Sequence, residues 1–173
     1  MLKKNLRDIS RRHPSFYYSL ETISTFLDID YNLLVDLYEY LSEIYVDKIS
    51  FSGDILKSLR SRGIKNIVYT RSDPSIDEIK LGAVGLRTYI DAIISLPETF
   101  GVIRGKIVFE KLSSHLLKQG YASSKDKIII VSPELEDYLD AYEAGLKVIW
   151  FSKVGEIRTG NQILNLKELM EFI

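Results

Sequence analysis

The sequence predicts a three-layer α/β fold, doubly wound around a mainly parallel sheet, with a pair of helices ahead of it. Three observations predict it. Continuous apolar runs such as Ile128-Ile-Ile-Val131 and Val148-Ile-Trp-Phe151 are too short for helices and do not alternate, as strands covered on both faces require. Segments with apolar residues at helical spacing separate these runs. Glycines at 63, 120 and 145 follow three of those segments, where helices commonly stop.

Residues 19–27 read as a helix, with Ser19 as N-cap and Leu20, Ile23, Phe26 and Leu27 on one face. Asp30 then caps a second helix, whose stripe is Leu33, Leu34, Leu37, Leu41, Ile44 and Tyr45. Ser52 caps a helix through Ile55, Leu56 and Leu59, and residues 66–70 follow as a short buried strand. Pro74 opens a helix over 75–81. The next strand lies within 89–95, around Ala92-Ile-Ile. A helix over 107–119, a strand over 127–131, a helix over 133–144, a strand over 147–151 and a final helix over 166–172 complete the order. The sequence contains no internal repeat and no low-complexity linker. Residues 1–50 thus form a helical segment and 51–173 an α/β core.

Composition narrows the function. At 173 residues, the chain is long enough for one domain with a substantial core. Lys and Arg number 23 against 24 Asp and Glu, so no general electrostatic grip on nucleic acid is expected. The basic opening segment, Lys3, Lys4, Arg7, Arg11 and Arg12, reads as a solvated terminus. No apolar stretch of leader type follows it, and no run approaches the ~18 apolar residues of a membrane helix. The absence of cysteine rules out disulfides, thiol catalysis and cysteine-ligated metal, and fits a reducing, cytoplasmic setting. His13 and His115 stand far apart, with no carboxylate at metal-ligand spacing.

Each expected strand ends in a polar segment: Thr70-Arg71-Ser72-Asp73, Arg104-Gly105-Lys106, and Ser132-Pro133-Glu134-Leu135-Glu136-Asp137. Ligands of doubly wound folds bind at that rim. A hydroxyl can hydrogen-bond phosphate, a cation can offset transition-state charge, and carboxylates can hold magnesium. Each has an ordinary structural alternative: Thr70 as a cap, Arg104 and Lys106 as a solvated loop, Asp137 as a first-turn partner of the helix dipole.

The order of these segments resembles the haloacid dehalogenase (HAD) superfamily, mostly magnesium-dependent phosphatases. The stretch from Phe51 through Gly63 to Thr70 is similar to that family's second motif. Asp91-Ala-Ile-Ile-Ser95 with Gly101-Val-Ile-Arg104 resembles the region of the third, basic motif. Ile128 to Asp137, continuing through Ala144-Gly145 to Trp150, resembles the fourth, acidic one. The likeness spans roughly 120 residues, and the preceding helices resemble the family's cap. It implies phosphate binding by Thr70 and by Arg104 or Lys106, metal binding by Asp137, and magnesium with a small phosphorylated substrate.

The departures are informative. The family's nucleophile sits in an Asp-x-Asp-x-Thr motif on a buried strand ahead of the cap, whereas this sequence passes from Met1 almost at once into cap-like sequence. Its only Asp-x-Asp is Asp28-Ile-Asp30. As a first motif, Asp28 would attack phosphorus and Asp30 would move the proton. As structure, the pair is the turn between two helices. In the turn reading the middle of the sheet lacks a strand, which exposes backbone groups next to the strands ending at Thr70 and Val131. Lys-Pro of the third motif is replaced by Arg104-Gly105, and Ser132 occupies the first acidic position of the fourth. Three readings follow. The first is a degenerate, non-catalytic member acting as a binding or interaction subunit, with a protein partner or a second copy. The second is an active magnesium-dependent phosphomonoester hydrolase. The third is a receiver-like or nucleotide-binding module, though the sequence has neither Gly-x-Gly-x-x-Gly nor a Walker-type loop. The 11 tyrosines, among them Tyr17, Tyr18, Tyr31, Tyr38, Tyr40 and Tyr45, suit either an interface or half-buried helix faces.

Overall fold

The structure is a computed structural model. It describes residues 24–25, 28–44, 51–151 and 161–173, with the side chains of all but 38–44 and 51–52. The chain divides into two compact units, Met1–Ile103 and Arg104–Ile173. The helix expected over 19–27 lies mostly outside the described residues; Ser24 and Thr25 are helical.

In the first unit, helix α1 (Tyr31–Ile44) begins where the sequence placed it. Asp30 Oδ1 accepts from the amides of Asn32 (2.9 Å) and Leu33 (3.1 Å), two donors that the first helical turn leaves without partners. Leu34 is buried against Ile76 of α3 (Pro74–Ala83), with Ile29, Val35 and Ile79 packed around them. Between these helices come α2 (Phe51–Ser61), which buries Ile55 and Leu59, and strand β1 (Ile67–Thr70). Strand β1 pairs in parallel with β2 (Ala92–Ser95), Ile67 opposite Ala92 and Thr70 opposite Ser95. A short helix, α4 (Leu96–Phe100), follows directly and was not foreseen; its five residues are too few to show a period.

Asn66 and Asp91 fasten the start of this strand pair. The Asn66 side-chain amide donates to the carbonyls of Leu56 and Tyr89, both at 3.0 Å, and its backbone N–H donates to Asp91 Oδ2 at 2.9 Å. Lys65 Nζ lies 3.3 Å from Asp91 Oδ1. Burial pushes the Asp91 carboxyl upward, but the hydrogen bonds from the Asn66 amide and from Lys65 outweigh it and hold the group below the ordinary carboxylate value. Replacing Asp91 with alanine is therefore expected to destabilise the protein by about 1–3 kcal/mol at neutral pH, because the Asn66 amide loses its acceptor. A depressed folded-state pKa stabilises above the ordinary carboxylate pKa, and that stabilisation is lost as pH falls through the depressed value. Urea titrations across that acid range should show a steeper loss for wild type than for Asp91→Ala; parallel curves would contradict this role.

The second unit opens with α5 (Lys106–Lys118), which buries Val108, Phe109, Leu112, Ser113 and Leu116. Strand β3 (Ile129–Ser132) pairs in parallel with β4 (Lys147–Phe151). Helix α6 (Leu135–Glu143) lies between them in sequence and packs on both. Strand β4 also pairs in parallel with β5 (Gln162–Ile163), a two-residue strand too short to read from sequence. The final helix is a 3-10 helix, Leu166–Glu171, rather than the α-helix expected; Asn165 caps it through the Lys167 amide at 2.7 Å.

The described strands thus form two sheets, β1–β2 and β3–β4–β5. Among them β1 has a partner on one side only, and so does β3. All four β1 residues are partly exposed, although the sequence suggested a buried strand. A sequence run reports a strand's own apolarity, not whether neighbours cover both its edges and faces.

Candidate functional site

In the first unit, Thr70 is the last residue of β1. Its Oγ1 accepts from the Ser72 amide at 3.0 Å, which leaves the hydroxyl proton free to donate. Arg71 Nε donates to the Ile103 carbonyl at 2.8 Å, and Asp73 caps α3 through the Ser75 amide at 2.9 Å.

Asp28 and Asp30 lie in the connection leading to α1, not at a strand end. Asp28 has φ 52°, a left-handed conformation that Asp tolerates better than most residues. One oxygen of Asp30 is engaged by the two amides of the cap.

In the second unit, the Arg104-Gly105 loop contacts α6, the helix that carries Asp137. The Gly105 amide donates to Asp140 Oδ2 at 3.0 Å, and Arg104 Nη1 lies 3.2 Å from Glu136 Oε2. The basic loop is thereby pinned to α6, whose first turn carries Asp137. Gly105 has φ 88° and ψ 160°, a geometry open essentially to glycine, so this loop could not have carried the family's proline one residue after the cation. Lys106 Nζ lies 3.3 Å from Glu110 Oε1, one turn along α5. Both candidate cations are thus in solvent-exposed ion pairs, which bind weakly.

Asp137 is 2% exposed and Ser132 1% exposed. The Ser132 hydroxyl donates to Asp137 Oδ2 at 3.1 Å and accepts from the Glu134 amide at 3.1 Å. Ser132 thus occupies one oxygen of the Asp137 carboxylate. Magnesium requires several oxygen ligands in near-octahedral array. Among the described residues no three His, Asp or Glu side chains converge on a point that could hold a metal ion.

Sequence reasoning missed Asp140. Its signal was available: a glycine in the loop leaves an amide in need of an acceptor, and Asp140 stands one turn beyond Asp137 on the same helix.

Comparison with known proteins places this geometry. No family model matches the sequence, and no curated protein matches it. Solved structures do. In fold the chain is similar to solved structures of haloacid dehalogenase type, built like it from helices around parallel strands. One similar structure is an L-2-haloacid dehalogenase, 14% identical with a TM-score of 0.64, matched over 98% of this chain and 79% of that one. Another is a HAD phosphatase from Thermococcus onnurineus, 15% identical with a TM-score of 0.58, matched over 88% and 85%. A third is a putative HAD hydrolase from Bacillus subtilis bound to magnesium, 18% identical with a TM-score of 0.58. That match covers 69% of this chain but 52% of the other, and the chain spans about half the length of the first structures it matches. Among the described residues no helix is long and apolar enough to cross a membrane.

Proposed function

We propose that this chain keeps the HAD hydrolase scaffold without its phosphoryl chemistry, and that it serves as a cytoplasmic binding or interaction subunit, residues 1–50 forming a cap-like helical element on the 51–173 core. The observation that carries the proposal is the placement of Asp28-Ile-Asp30. Carboxylate nucleophilic catalysis needs the attacking group held rigidly at the reacting atom, with a second carboxylate free to move the proton. Here the pair lies in a turn, and Asp30 spends an oxygen on capping α1. The pairing of Ser132 with Asp137 and the ion pairs of Arg104 and Lys106 support the same reading.

The competing reading is a magnesium-dependent phosphomonoester hydrolase acting on a small phosphorylated substrate. It would use Asp28 and Asp30, phosphate contacts from Thr70 and from Arg104 or Lys106, and Asp137 as metal ligand. It is favoured by the free hydroxyl proton of Thr70 at a strand end and by a similar structure that binds magnesium.

Phosphoryl transfer is catalysed almost wholly by positioning and charge, so losing the nucleophile and most metal ligands should cost several orders of magnitude in rate. With magnesium and a generic phosphomonoester, wild type and Asp28→Asn are expected to be equally inactive while remaining folded by circular dichroism. Robust turnover abolished by Asp28→Asn would overturn the proposal.

A further inference from the structure

Helix α6 is apolar on the side that faces water. Its core side carries Asp137 and Ala141, both buried. Roughly opposite, one turn apart in succession, stand Leu135, Leu139 and Tyr142, which are 49%, 50% and 64% exposed. Tyr138 borders this stripe, its ring stacked on Tyr142 at 6.4 Å between centroids. Glu136 and Glu143 border the other side and are exposed. Single apolar residues on a surface are ordinary, but three large ones aligned on a helix form a stripe of the kind that meets a partner.

The charges say what kind of partner. Two α6 stripes pressed together would bring carboxylates against carboxylates, which is unfavourable. The matching surface is a helix with aliphatic residues at the same spacing and cations beside them. This chain carries that pattern in its own first residues: Leu2, Leu6 and Ile9 repeat the spacing of Leu135, Leu139 and Tyr142, with Lys3, Lys4, Arg7, Arg11 and Arg12 among and after them.

We propose that residues 2–12 of one copy dock on the outer face of α6 of a second copy, so that the protein self-associates through a basic, aliphatic-spaced segment on an acid-bordered apolar stripe. The apolar triplets give the contact area, and the Lys and Arg residues face Glu136 and Glu143. Glu136 leaves only an exposed pairing with Arg104 to do so, a weak interaction to give up. The inference rests on the reading of the chain as an interaction subunit for its purpose but not for its test: phosphatase activity decides that reading, and molecular mass in solution decides this one.

The experiment is sedimentation equilibrium on the full chain over a range of concentrations and salt. Wild type is expected to associate, less so as salt rises. Leu139→Glu, at an exposed position, should weaken association by at least roughly tenfold with the circular dichroism unchanged. The charge-reversed pairs Lys3→Glu with Arg7→Glu, and Glu136→Lys with Glu143→Lys, should each weaken it. Combining the four should restore it. A monomeric wild type at all concentrations would overturn the proposal, and so would an association indifferent to Leu139→Glu or lacking charge-swap rescue.

Discussion

Truncation of Phe109 to alanine is expected to destabilise the protein by about 3–5 kcal/mol, the range for a large aromatic removed from a packed interior. Phe109 is fully buried on α5, flanked on the same helix by Val108, Leu112 and Leu116 at 0%, 1% and 6% exposure. Truncation forfeits the burial of the ring and leaves a void that its rigid neighbours can close only in part. Ile107, the adjacent residue, is 46% exposed and supplies the control: Ile107→Ala should change stability by no more than about 0.5 kcal/mol. Urea denaturation followed by circular dichroism measures both. Similar losses for the two variants would show that α5 does not present the face described.

The second large effect is expected at Asp137. Removing this side chain by Asp137→Ala takes away the acceptor of a buried hydroxyl, Ser132, and an unpaired buried donor costs about 1–3 kcal/mol. Asp137→Asn retains a carbonyl oxygen and should lose less. This result separates the two readings of the chain. A carboxylate kept to hold a metal is commonly a burden on the metal-free fold, so its removal would raise stability, and magnesium would raise the melting temperature of wild type through binding linkage. The arrangement seen here predicts the reverse: a lower melting temperature for Asp137→Ala, and no effect of millimolar magnesium on wild type.

The order of strands and helices was readable because each apolar run and each helical stripe is long enough to show its period. Residues 147–151 and the helix capped by Asp30 sit where the pattern put them. Asp30 was legible as a cap because the stripe of Leu33, Leu34 and Leu37 starts immediately after it. The elements that escaped, α4, β5 and the 3-10 form of the last helix, are short or held by local turns, where periodicity carries no information. The candidate site was legible as a set of rim positions but not as a set of partnerships. Nothing in the order of residues indicates that Ser132 donates to Asp137, that Asp140 meets the Gly105 amide, or that Glu136 takes Arg104. Those are choices among nearby acceptors that only three-dimensional placement settles.

The pairing of strands also bears on how the protein is made. Every described ladder joins a strand to the next strand in the chain: Ile67 to Ala92, Ile129 to Lys147, Trp150 to Gln162. A ribosome releasing this polypeptide would therefore have freed both β1 and β2 before β3 is translated, and neither needs to wait for later sequence to find its hydrogen-bonding partner. Contacts between near neighbours along the chain close small loops and form quickly. The first unit can thus gain protected amides while the second is still being synthesised, an order of events that hydrogen-exchange labelling of arrested nascent chains would register as early protection within β1 and β2 and late protection within β3 and β4.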